Sequence, residues 1–202
     1  MEKISTLKKA TRAQALETLM ECYHLAGDNI RYQLQASIEE AINFFAPPLP
    51  RKISTVQDWV VAAVAKDGSR GLNRIHTTAD LMLATDGTML HACPIPSGFD
   101  PNQQYAPRLD KIRLDKITAP DFARVIAEHS RTLEPVDAAD IDYLPPTPGD
   151  LWLLKIKGRL FDRKLFDKLT ALGGDLYLNP EIGCLVLQDN DTGRIGFLMG
   201  RR

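Results

Sequence analysis

No stretch of this chain limits its fold more than Pro47-Pro48-Leu49-Pro50. Three prolines in four residues remove three backbone donors and lock three φ angles, so neither a helix nor a paired strand runs through them. The stretch reads as a stiff linker. It divides the 202 residues into a helical arm, 1–50, and a larger body, 51–202. In the arm, Leu7, Ala10, Ala13, Leu16, Met20 and Tyr23 recur at the three- and four-residue spacing of one helix face. Gly27-Asp28-Asn29 breaks the pattern, and Ile30, Leu34, Ile38, Ala41, Ile42 and Phe45 resume it. The spacing predicts an αα-hairpin whose apolar faces meet each other or a partner.

Composition then narrows the class. With 44% hydrophobic and 25% charged residues the chain has the make-up of a folded globular protein, not of a disordered one. Its 25 basic and 26 acidic residues give a net charge of −1. That excludes a uniformly basic nucleic-acid coat protein, so any DNA contact must come from local patterning. The longest apolar run, Trp59 to Ala65, is far short of the about 20 residues that span a bilayer, and the first residues carry no apolar signal segment. Cys22, Cys93 and Cys184 are odd in number and widely spaced. They suit neither a disulfide framework nor a zinc site, and a reducing cytoplasm is the expected setting.

In the body, Ser54 or Thr55 is placed to cap a helix from Val56 to about Lys66, with Asp58 in its first turn. A strand pair is expected over 73–78 and 81–84. Thr85-Asp86-Gly87-Thr88 is a hairpin signal because Asp-Gly supplies positive φ, and the return strand is 89–93. Ser97–Pro107 reads as loop, Arg108–Ile117 as a half-buried strand, and Pro120–Leu133 as a helix. Glu134–Asp150, acidic and with four prolines, reads as loop or edge. A strand over 151–156 and a helix over 162–172 follow, stopped by Gly173-Gly174. Three strands end the pattern, over 176–179, 184–188 and 195–199, with Asp191-Thr192-Gly193 as the last turn. This is α+β architecture, not the regular β-α alternation of a doubly wound sheet.

Few constellations carry chemistry. His76, Asp86, His91 and Cys93 are close in sequence but match no zinc spacing. His129 and Ser130 are adjacent, with Asp121 and Glu128 nearby, yet adjacency alone makes no nucleophile–base pair. Asp189-Asn190-Asp191 lacks the downstream Glu of a calcium loop and suits a turn. No glycine-rich phosphate loop is present. The expectation is a protein without catalytic residues, metal or cofactor. Charge is the stronger signal: Leu151–Gly174 carries six basic residues against two acidic, a local charge of +4, while Asp121–Asp150 is −5. The first could line a phosphate-facing surface, or simply be a solvated helix face.

One combination is more specific. After the first body helix come Asp67, Arg70, Leu72-Asn73, Ala84-Thr85-Asp86-Gly87, Leu90, Cys93, Pro96 and Gly98. This resembles the middle domain of the bacterial DNA polymerase III β subunit, the sliding clamp, with its D-x-R-x-x-L-N-G and A-T-D-G-H-R-L segments. Phe161–Leu169 resembles the clamp's second helix, and Ile195–Arg201 its terminal V-V-M-P-M-R strand. The resemblance spans about 52–202 and implies a DNA-clamp fold: antiparallel sheets with two amphipathic helices, here preceded by the αα-hairpin. It implies a non-enzymatic role in replication or repair, with duplex DNA, peptides of DNA polymerases or repair proteins, and further copies of the chain as partners.

Lys66, Arg70, Arg163, Lys164 and Lys168 would contact phosphates without base readout. Leu72, Thr85, Gly87, Leu90, Leu198, Met199, Gly200 and Arg201 would form the peptide pocket. Thr88-Met89 replaces the family's His-Arg, and Gly200 its Pro, so the polar rim has changed. A clamp ring contains six such domains and this chain one, so a ring would take six copies. That compactness suits a phage or mobile element. The alternative is a clamp-fold adaptor or decoy that binds a host replication protein without touching DNA, with the helical arm as its partner-binding element.

Overall fold

A computed structural model describes residues 52–65, 72–107, 113–114, 120–145 and 152–201. They fall in one compact unit, Leu49–Pro107 with Lys111–Arg202. The expected αα-hairpin, the linker at 47–50, Lys66, Arg70, Cys22 and most of the strand expected over 108–117 lie outside the described residues.

Twelve strands are described: β1 Ile75–Thr77, β2 Leu81–Thr85, β3 Met89–Pro94, β4 Gln104–Tyr105, β5 Arg113–Leu114, β6 Glu134–Pro135, β7 Ile141–Tyr143, β8 Leu153–Ile156, β9 Arg159–Asp162, β10 Asp175–Asn179, β11 Cys184–Asp189 and β12 Arg194–Met199. The helices are α1 Val56–Val61, α2 Phe122–His129 and α3 Arg163–Leu169. One sheet runs β5-β4-β1-β2-β3-β12-β11-β10-β6, and a second runs β7-β8-β9. Every pairing is antiparallel.

Several expectations need correction. Helices form at all three places expected in the body, but each is shorter than its apolar pattern. At α1, Ala63 and Val64 donate to Val60 and Val61 in a tighter i→i−3 turn, and Ala65 then donates to Leu72, which pulls the chain off the helix axis. Asp162 caps α3 from outside it, accepting from the backbone N–H of Lys164 (2.9 Å) and Leu165 (3.3 Å). The expected loop over 97–107 contains β4, while 134–150, expected as loop or edge, supplies β6 and β7, each at the edge of its sheet. Strand β9 was hidden by charged residues on a partly exposed ribbon.

The turns follow local chemistry. Thr55 and Asp58 form a reciprocal capping box at α1. Gly87 has φ of +87°, and Asp86 Oδ1 accepts from the N–H groups of Thr88 and Met89, both at 2.8 Å.

Strand alternation sorts the core into two layers. One face of the large sheet presents Met82, Ala84, Met89, Cys93, Leu185, Leu187 and Leu198 to a cluster that includes Trp59 of α1, Phe166 and Leu169 of α3, and Leu154, Ile156 and Phe161 of the small sheet. The other face presents Leu83, Leu90, Ala92, Cys184, Val186 and Phe197 to Phe122 of α2.

Trp59 is the centre of the first layer. It is fully buried, donates from Nε1 to the Leu169 carbonyl (2.9 Å), and stacks on His91 at 3.9 Å between ring centroids. His91 donates from Nδ1 to the Trp59 carbonyl, and its Nε2 has no partner among the described residues. Arg194, nearly fully buried, lies 5.2 Å from the Trp59 ring centre and donates to the carbonyls of Leu172 and Gly173 just past α3. It also pairs with Asp189, whose carboxyl is held down at about 2 by hydrogen bonds from Thr192 and Arg194. Trp59 and Leu169 press onto Gly196, where an added Cβ would sit 2.6 Å from a Leu169 methyl carbon and 3.0 Å from the indole.

Two stability predictions follow from this layer. Burial, reinforced by the charges of Lys168 and Arg194 and only partly opposed by the Trp59 carbonyl, lowers His91 to about 3. The unfolded chain protonates this group near pH 6.5 and the folded one does not, so stability falls as pH drops from about 6.5 toward 3. Denaturant titrations should show about 2 kcal/mol lost from this group between pH 7 and pH 5, and His91→Gln should flatten that slope. Gly196→Ala should cost about 1–3 kcal/mol, because the clamped indole cannot move aside; thermal melts measure it.

Candidate functional site

A cavity of about 360 Å³ opens on the second face of the large sheet, between the strands and α2. Strand alternation sets its floor: Thr85 of β2, Leu90 of β3, and Phe197 and Met199 of β12 point to this side. Leu72 and the Gly87 turn form one wall, and Phe122, Val125 and His129, spaced along one face of α2, form the other. Asp121 caps α2 by accepting from the Arg124 N–H at 3.0 Å. Beyond its C-terminus, Asn179 fixes the helix to the β10–β11 hairpin. Its Nδ2 donates to the carbonyls of His129 (3.2 Å) and Arg131 (2.7 Å), while Oδ1 accepts from the N–H groups of Glu181 and Ile182.

The lining is apolar, and its polar groups are mostly engaged within the chain. The Thr85 hydroxyl donates to the Met89 carbonyl (2.7 Å) and accepts from the Gly87 N–H (3.0 Å). His129 donates from Nδ1 to the Val125 carbonyl (2.8 Å) and packs its ring edge-on against Phe197. Among the described residues no carboxylate, lysine or arginine lines the cavity. Such a site suits an apolar side chain or short apolar segment.

Of the eight residues expected to form a pocket, Leu72, Thr85, Gly87, Leu90 and Met199 meet on this cavity. Leu198 does not, because it alternates with Phe197 and Met199 and enters the opposite layer. Gly200 and Arg201 lie beyond the cavity's lining. Gly200 abuts Gly183 and Phe161, and Arg201 bridges to Leu160 and pairs with Asp162 at 3.6 Å. Sequence reading missed the α2 wall. Phe122, Val125 and His129 do recur at helical spacing, which marks a common face but not what that face covers.

The expected phosphate contacts diverge as well. Lys168 sends its ammonium to the carbonyl of Ala62 at 3.3 Å, tying α3 to the end of α1 instead of extending into solvent. Lys164 is exposed at the start of α3. The Arg163 guanidinium lies over the rings of Tyr143 and Trp152. Lys66 and Arg70 lie outside the described residues.

Catalytic geometry does not assemble among the described residues. The Ser130 hydroxyl is buried with no hydrogen-bond partner there, and Glu128 pairs with Arg124 at 3.3 Å. Burial pushes the thiols of Cys93 and Cys184 up to about 11 and about 12, so neither supplies a thiolate near neutrality. No group of three metal-ligating side chains occurs among the described residues, and no helix there is long and apolar enough to cross a membrane.

No protein-family model matches this chain, and no curated protein matches it in sequence. Solved structures do match. DNA polymerase III subunit beta from Borrelia burgdorferi, in complex with a natural product, is similar over 81% of this chain with a TM-score of 0.50 and 10% identity. The DNA polymerase sliding clamp from Bacillus subtilis is similar over 73% with a TM-score of 0.42 and 14% identity. The match covers 66% of the Borrelia chain and 61% of the Bacillus chain. At this identity the likeness concerns architecture: the chain has a sliding-clamp-like α+β fold.

Proposed function

We propose that this protein acts without catalysis in DNA replication or repair, by seating a short apolar peptide segment of a polymerase or repair protein in the cavity between α2 and the large sheet. One observation carries the reading. Five residues assigned to a peptide pocket from sequence motifs far apart in the chain line a single apolar cavity. With His-Arg replaced by Thr88-Met89, the rim is less basic than the resemblance implies, and selection rests on apolar fit. Duplex DNA is the second proposed partner, contacted at phosphates by Arg163 and Lys164. The adaptor reading, in which DNA plays no part, draws support from Lys168, whose ammonium is held by Ala62.

Two measurements test these readings. Fluorescence anisotropy with a labelled clamp-binding peptide should show saturable binding, weakened about 10- to 100-fold by Leu72→Ala or Met199→Ala. Circular dichroism would verify that each variant is folded, and unchanged affinity in both would sink the peptide reading. Duplex DNA binding should weaken steeply with salt and with Arg163→Glu/Lys164→Glu. No salt-sensitive binding at any duplex length favours the adaptor.

A further inference from the structure

We infer that Tyr143, Trp152 and Arg163 form a stacking site for the bases of single-stranded DNA, separate from the peptide cavity. The inference rests on the DNA-facing part of the function proposed above. Trp152 and Arg163 lie directly opposite each other across the β8–β9 ribbon, where the Arg163 N–H donates to the Trp152 carbonyl at 2.9 Å. Tyr143, at the end of β7, completes the group. The guanidinium carbon is 5.0 Å from the Tyr143 ring centre and 5.4 Å from that of Trp152. With the guanidinium in place, Tyr143 is still 57% exposed and Trp152 41%. Aromatic surface of this size is normally buried.

Charge argues for a nucleic acid. Among the described residues Arg163 has no carboxylate partner. Asp162 caps α3 and pairs with Arg201, and Asp167, one helical turn on, is exposed and forms no ion pair with Arg163. Lys164 beside it is exposed and likewise unpaired. A guanidinium held over aromatic rings by its carbon still has N–H donors to offer phosphate oxygens or base edges, and every base offers a π-face for the rings.

Extent argues against a protein partner. Leu160, the nearest other exposed large apolar residue, sits on the opposite face of the ribbon with Lys155 and Asp142. Among the described residues the patch is therefore two rings and one guanidinium. That suits one or two bases and falls well short of the roughly 800 Å² per partner in a stable protein interface.

Intrinsic tryptophan fluorescence tests the site on the full chain, with a dT dodecamer and a duplex of equal length. Trp59 is fully buried and stacked on His91, so quenching by DNA reports Trp152, and Trp152→Phe should abolish the signal. The expected result is that dT quenches and binds more tightly than duplex. Tyr143→Ala should weaken dT binding on the order of tenfold while leaving duplex binding unchanged, and Tyr143→Phe should restore it. If Arg163→Glu/Lys164→Glu abolishes dT binding and Tyr143→Ala has no effect, stacking is overturned and phosphate contact stands. If neither DNA binds, the cluster serves protein contact or internal packing, and both the inference and the DNA-facing reading fail.

Discussion

The Trp59 indole is the fixed point of this structure. It joins four parts of the chain that are distant in sequence: α1 that carries it, the carbonyl at the end of α3, the His91 ring on β3 and the Arg194 guanidinium on β12. Each contact suits a different property of the side chain, namely the N–H donor, the flat π-face and the quadrupole that attracts a cation. Gly196 lets the indole lie against the sheet, because any side chain there would hold the helix layer away. The arrangement obliges His91 to remain neutral and Arg194 to be matched by Asp189, so the helix layer is coupled to two titrating groups.

Strand β12 then connects this layer to the cavity. Gly196 and Leu198 face the helices, while Phe197 and Met199 face α2 and the cavity. A one-residue slip would send Phe197 into the space reserved for the indole and empty the cavity floor. The pairing of β12 with both β3 and β11 over most of its length prevents that slip. The chemistry of the cavity is therefore set by the same register that closes the core.

Features that depend on local chemistry were legible in the sequence. The Asp-Gly turn, the Thr55 cap and the central strands all appear because their determinants lie within a few residues of each other, whereas the helix expected to run up to Gly173-Gly174 ends at Leu169. The resemblance reached further and brought Leu72, Thr85, Gly87, Leu90 and Met199 to one place. What escaped depends on long-range neighbours. Leu198 was grouped with Met199 although alternation puts them on opposite faces. Strands β4 and β6 have two residues each, too short to show a period. Lys168 was read as a solvent-facing cation, and only the packed helices show that it reaches Ala62. The α2 wall was visible as an amphipathic face, but nothing local says that it borders a cavity.

The place of β12 in the sheet has a consequence for biogenesis. Among the described residues the β1–β5 side and the β10, β11 and β6 side share no ladder, and residues 194–199 stitch them together. While the ribosome is still making the polypeptide, each side presents an open hydrogen-bonding rim along β3 or β11 and leaves its half of the core wet. Such rims are templates for intermolecular pairing. Productive folding of this sheet therefore waits until residue 199 has left the exit tunnel, and the nascent chain is exposed to aggregation, and in need of chaperones, until β12 arrives.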